Sequence, residues 1–179
     1  MKTAIYLTGL PASGKAALGQ ALARQLNWPC LERDDFLDAL SVRAGAASPE
    51  QRIQLGRECD RLFQTAAGAL SHCVLVAQWQ PRTAAAGRGT PSDWLQQFDT
   101  LVEVHCDCSV EVAAERFCAR ERRLDDPDSL QNRADVLGWM RELETGFPLQ
   151  AGRLISVLCG PGFDAQKLSR TLAMEIAEI

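Results

Sequence analysis

The run Gly9-Leu10-Pro11-Ala12-Ser13-Gly14-Lys15 has the residue types and spacing needed to hold a polyphosphate. The glycines let consecutive main-chain N–H groups turn toward one anion, and Lys15 adds a full charge beside it. The apolar run Ala4-Ile5-Tyr6-Leu7 precedes this loop and a helical pattern from Leu18 to Leu26 follows it. The loop therefore joins a strand to a helix whose positive end faces the same anion, the setting a phosphate-binding P-loop requires. Gly9, Leu10, Pro11, Ala12, Ser13, Gly14, Lys15, Ala16 and Ala17 are the expected nucleotide-binding residues. In such a loop the position after the lysine carries a hydroxyl that ligates Mg²⁺, and here it is Ala16, whose methyl group cannot. The motif points to a nucleoside triphosphate, and the residues holding a metal are left unknown.

Two further groups of residues suit phosphoryl transfer. Arg33-Asp34-Asp35 follows the second apolar run, at the sheet edge where ligands of α/β folds gather. A carboxylate there can take the proton of an attacking hydroxyl or hold Mg²⁺ through water, although Asp at such a place also caps helices. Arg116, Arg120 and Arg123 recur at helical spacing, with Arg122 beside them. Guanidinium groups on a closing segment stabilise the charge that develops on a transferring phosphoryl group; the alternative is a solvated face paired with Glu115 and Glu121. The third apolar run ends in Ala77 and Gln78, where an acid for Mg²⁺ is common in P-loop enzymes. Trp79 and Trp94 either line a ring-shaped acceptor or serve as packing.

The elements that position these groups alternate. Strands are expected at residues 3–8, 29–32, 73–78, 101–106 and 154–159. Helices are expected at 15–25, 36–44, 49–71, 110–122, 130–144 and from about 165 to 177, with a short helical turn at 93–97. Ser48 before Pro49, Ser109 and Asp164 are the natural N-caps. Short apolar strands separated by helices indicate a doubly wound α/β domain with a parallel sheet covered on both faces. No repeat, low-complexity tract or linker divides the 179 residues, so one domain is expected, with a small lid near residues 118–135.

A net charge of −4 argues against extended nucleic acid as the partner. No apolar stretch approaches the roughly 18 residues needed to cross a bilayer, and Met1 leads straight into the first strand; a cytoplasmic location is expected. Seven cysteines, odd in number and scattered along the chain, read as reduced thiols, mostly in the core. His105-Cys106-Asp107-Cys108 is the densest cluster, but strand alternation sends Cys106 and Cys108 to one face and His105 and Asp107 to the other, which favours packing over metal binding.

The chain resembles the small P-loop kinases: the polynucleotide 5′-hydroxyl kinase domain, chloramphenicol phosphotransferase and the zeta-toxin-like group, with gluconate kinase more distant. The resemblance rests on the loop at 9–17, on Arg33-Asp34-Asp35-Phe36, and on the strand and Arg-bearing helix at 101–120. It implies a five-stranded parallel sheet, a small helical lid, and ATP held by residues 9–17. It also implies Asp34 as the base toward the acceptor hydroxyl, and lid arginines Arg116 and Arg120 that reach adenine and phosphates. Catalysis would then fall to Lys15, Asp34 and Arg120, with ATP and Mg²⁺ as cofactors and Asp35 as a further carboxylate for the metal. Four departures accompany it: Ala16-Ala17 for a hydroxyl pair, no acid after the third strand, Leu158-Cys159 for Asp-Thr, and Leu37 where polynucleotide kinases carry a substrate-gripping Arg. The expectation is an ATP-dependent kinase acting on a small-molecule hydroxyl. The alternatives are a nucleotide-binding regulatory module that has lost catalysis and an NTP hydrolase.

Overall fold

A computed structural model describes residues 1–44, 48–83, 89–120 and 133–178. In chain order its elements are β1 (Thr3–Thr8), α1 (Lys15–Leu26), β2 (Cys30–Glu32), α2 (Arg33–Ala44), α3 (Pro49–Gly68), β3 (His72–Val76), a 3-10 turn (Asp93–Gln97), β4 (Thr100–Asp107), α4 (Val110–Ala119), α5 (Arg133–Glu144), β5 (Arg153–Leu158) and α6 (Ala165–Ala177). The five strands form one parallel sheet in the order β2-β3-β1-β4-β5.

β1 is central because its residues are apolar on both faces. Ile5 and Leu7 enter one core with Val74, Val76, Val102, Val104 and the buried sides of α1 and α6. Ala4 and Tyr6 enter the other with Phe63, Leu75, Trp79 and Leu95. Both faces of the sheet are thus covered, as its unbroken apolar runs require. β1 lies between β3 and β4, neither of which is the next strand after it in the chain, so the strand order reverses there. In open parallel sheets the crevice at such a reversal, beyond the carboxyl ends of the strands, is where ligands bind.

Several boundaries differ from expectation. α2 begins at Arg33 rather than residue 36, which places Asp34 and Asp35 inside its first turn. α3 starts as expected, with a complete capping box: Gln51 N–H donates to Ser48 Oγ and Ser48 N–H donates to Gln51 Oε1. It ends at Gly68 rather than residue 71, because Ser71 O already accepts the Thr3 N–H bond that leads into the sheet. β3 stops at Val76, since Trp79 turns inward to bond Leu7 O. α4 ends at Ala119 rather than residue 122, and Arg120 is extended (φ −70°, ψ 137°). α5 is described from Arg133, and of the lid expected at 118–135 residues 121–132 lie outside the described residues, as do Arg122 and Arg123. Ser109 and Asp164 cap α4 and α6 as expected.

A buried carboxylate ties the second face together. Glu103, on β4, is fully buried and accepts from Tyr6 OH (2.8 Å), Thr8 Oγ1 (2.7 Å), Leu149 N (2.7 Å) and Gln150 N (2.6 Å). Burial, with Glu103 beside it, drives the Tyr6 phenol far above its ordinary value, so it stays a donor. These bonds fix the segment between α5 and β5 against the centre of the sheet. The carboxyl ends of β1 and β4 are held in register by the same group.

Candidate functional site

The loop between β1 and α1 has a backbone that most sequences could not adopt. Gly9 and Gly14 have φ of 128° and 107°, and Ala12 sits in the left-handed region at 59°. A Cβ on Gly9 would lie 2.6 Å from Cys106 O, and one on Gly14 would lie 2.9 Å from the Phe163 ring. Glycine is required at both places by conformation and by close approach. Gly14 is the N-cap of α1 and supplies no side-chain acceptor, and the first turn of α1 holds no acidic residue. The leading N–H groups of α1 are therefore left for an external acceptor.

Lys15 is 7% exposed and bends back over the loop. Its Nζ donates to Leu10 O (2.7 Å) and Gly9 O (2.9 Å), with Gln78 Oε1 at 3.4 Å. Burial lowers the ammonium to about 8. Cys106 opposes that change, Arg120 reinforces it, and Asp34 and then Cys159 oppose it again. Arg120 and Asp34, 86 residues apart in the chain, thus lie within electrostatic reach of one buried ammonium group. Asp34 is exposed, as is Arg120. Asp35 instead acts on the Cys30 thiol, which burial and then Glu32 push up to about 12, so the two adjacent carboxylates face different neighbours.

Arg33 does not enter the crevice. Its guanidinium bonds Asp60 (2.6 Å) and Gly56 O (3.3 Å), pinning the start of α2 to α3. Arg116 is likewise engaged by main chain: it donates to Cys159 O (2.7 Å) and Gly160 O (2.6 Å), with Ser13 O at 3.5 Å. It ties the P-loop to the turn after β5. Of the cationic face expected at 116, 120 and 123, Arg116 is a strut, Arg120 closes α4 as its C-cap, and Arg123 lies outside the described residues. Beside this strut an open cavity of about 810 Å³ runs from Cys108 and Ser109 to residues 160–164 and α6.

The cysteine cluster is packing. Cys106 and Cys159 are free thiols buried at 1% and 0% exposure, and Cys108 joins the same core. Of all seven cysteines Cys118 is the exposed one. Trp79 is 1% exposed and packs among Tyr6, Phe63 and Trp94, so it lines no open pocket. Two relationships escaped sequence reasoning: the Phe163 ring against Gly14 and the Glu103 anchor. Only the placement of Glu103 on the face opposite Cys106 hinted at the latter.

A parallel five-stranded α/β sheet with a P-loop at its strand reversal defines the P-loop kinase-like class. The model of the AAA domain family matches residues 5–143, and the chain belongs to that P-loop kinase-like family. No curated protein is significantly similar to it in sequence. Among solved structures it is similar to a protein designated a kinase from Chloroflexus aurantiacus, with 20% identity and a TM-score of 0.73 over 99% of this chain and 97% of that one. Shikimate kinase from Acinetobacter baumannii matches with 19% identity and a TM-score of 0.66, over 99% of this chain and 94% of that one. APS kinase from Mycobacterium tuberculosis matches with 18% identity and a TM-score of 0.52, over 99% and 98%. These likenesses establish the fold. Among the described residues no helix is long and apolar enough to cross a membrane.

Proposed function

We propose that this protein is a phosphotransferase that moves the γ-phosphate of ATP to a hydroxyl of a small molecule. One observation carries the reading. The ammonium of Lys15 is folded into a P-loop at the uncapped head of α1, within the field of both Asp34 and Arg120. A cation for the phosphates, a second cation and a carboxylate able to act as base thus share one end of the sheet.

In this reading the triphosphate displaces the Lys15 ammonium from the carbonyls of Gly9 and Leu10 and takes its charge. Residues 9–17 wrap the phosphates, and the nucleoside end lies toward the cavity beside Phe163 and residues 160–164. Arg116 is a positioning residue that holds loop and cavity wall together. Asp34 accepts the proton of the acceptor hydroxyl as its oxygen bonds the γ-phosphorus. The bond from that phosphorus to the bridging oxygen breaks, and ADP leaves. Lys15 and Arg120 stabilise the negative charge on the moving group, where one such contact is worth on the order of 10²–10³ in rate.

P-loop kinase-like families generally use Mg²⁺ with ATP. The residues here do not fit that ion. Ala16 turns a methyl group into the neighbouring apolar core, and the end of β3 carries the neutral Gln78. Among the described residues no group of three His, Cys, Asp or Glu is placed to hold a metal. These two changes favour a second reading, a nucleotide-binding module without turnover.

ADP formation from ATP across a panel of sugars, amino alcohols and cyclic polyols tests the two readings. The kinase reading expects turnover with at least one acceptor, lost in Asp34→Asn while the ATP-induced rise in melting temperature remains. ATP binding with no ADP formed across the panel would leave the module.

A further inference from the structure

Lys15 Nζ has three neighbouring acceptors, and one is a side chain: Gln78 Oε1, just beyond β3. The amide orientation follows from chemistry, because an ammonium offers only donors and the oxygen must face it. Gln78 Nε2 is then left buried with no hydrogen-bond partner. The Gln78 backbone is fixed at this place. Its carbonyl accepts Thr90 N–H (2.8 Å), and the next residue, Trp79, is buried with its indole bonded to Leu7 O. An unsatisfied amide donor is thus held next to the one buried lysine of the P-loop, at a cost the nucleotide-free fold has to bear.

The chemistry of this corner differs from a metal site in sign. A carboxylate at the end of β3 and a hydroxyl after Lys15 would present oxygens to a divalent cation. Here the first position presents an N–H₂ donor and the second a methyl group packed into the core. Donors attract phosphoryl oxygens and repel cations. A hard cation such as Mg²⁺ takes oxygen ligands only.

We propose that the outer phosphates are held directly by protein donors, with Gln78 Nε2 bonding a phosphoryl oxygen beside Lys15, and that nucleotide binding here does not need a divalent metal. The inference rests on reading the loop as a nucleotide site and adds how that site recognises its ligand. Entry of the phosphate draws the ammonium off the loop carbonyls, and the stranded amide donor gains the acceptor it lacks.

The test measures ATP binding to the full chain by calorimetry and thermal melting, in EDTA and in excess Mg²⁺. Wild-type affinity is expected to differ by less than about threefold between the two conditions, since no protein oxygen anchors the ion. Gln78→Leu keeps the volume and removes the donor, and is expected to weaken ATP by about tenfold in both conditions, the worth of one hydrogen bond to a charged group. Gln78→Glu is expected to bind poorly in EDTA and to recover with Mg²⁺. Wild-type binding that requires Mg²⁺ overturns the proposal while leaving the nucleotide site standing, as does unchanged affinity in a Gln78→Leu variant that melts normally. If neither ATP nor inorganic triphosphate binds in any arm, the phosphate site and the proposal fall together.

Discussion

Arg116 Nη2 lies 2.6 Å from Gly160 O, and its Nη1 lies 2.7 Å from Cys159 O. One side chain of α4 thereby fastens the turn after β5 to the neighbourhood of the P-loop. Charge-assisted hydrogen bonds to main-chain carbonyls are worth more than exposed ion pairs. Arg116→Ala is expected to cost about 2–3 kcal/mol of stability, read as a lower denaturant midpoint at unchanged slope. Arg116→Lys, which lacks the fork that reaches both carbonyls, is expected to recover less than half of the loss.

Lys15 connects affinity to pH. Its folded value is lowered to about 8 by burial, below the unfolded value of 10.5, so between these the unfolded chain binds more protons. The Lys15 contribution to the stability of the ligand-free protein therefore rises with pH across that window. Phosphate binding needs the ammonium form, so ATP affinity is expected to fall above about pH 8. Calorimetry near that pH, in buffers of different ionisation enthalpy, should register proton uptake on binding. Lys15→Ala is expected to abolish both the uptake and the ATP-induced melting shift.

Asp34 is exposed, so replacing it costs the fold little. Asp34→Asn is expected to leave melting within about 0.5 kcal/mol of wild type, as for other surface changes. It is expected to reduce phosphoryl transfer by about 10²–10⁴-fold, the usual worth of a positioned base. Asp35→Asn, whose carboxylate acts on Cys30 instead, is expected to keep turnover within a few-fold.

Glu103 is the opposite case, a buried carboxyl group that ties distant segments of the fold together. Four donors converge on it in a fully buried place. Glu103→Leu orphans those donors and is expected to cost about 3–5 kcal/mol, measured by chemical denaturation. Glu103→Gln keeps one acceptor oxygen and is expected to cost less.

The pattern of elements was readable because it depends on neighbours in sequence. Apolar runs separated by helical periods specify a two-sided parallel sheet, and Ser48, Ser109 and Asp164 cap the helices expected of them. The ends were less readable where distant groups intervene. α3 stops early because Ser71 O is taken by Thr3, and β3 stops early because the Trp79 indole reaches Leu7 O. The arginine spacing at 116 and 120 suggested one functional face. Which of the two is held by main chain was not legible: the carbonyls of Cys159 and Gly160 capture Arg116, while Arg120, the C-cap of α4, acts on the Lys15 ammonium.

By itself the order of residues determined a glycine-rich loop between a strand and a helix with Lys15 at its end, since glycine conformations act over a few bonds. Strand alternation and helix caps are local in the same way. Tertiary structure decided which carboxylate acts on Lys15 through space, which arginine becomes a strut, and that the Gln78 amide stands beside the ammonium with its nitrogen unpartnered. Those outcomes depend on burial and on partners brought together across the sheet, and neither is encoded at any single position.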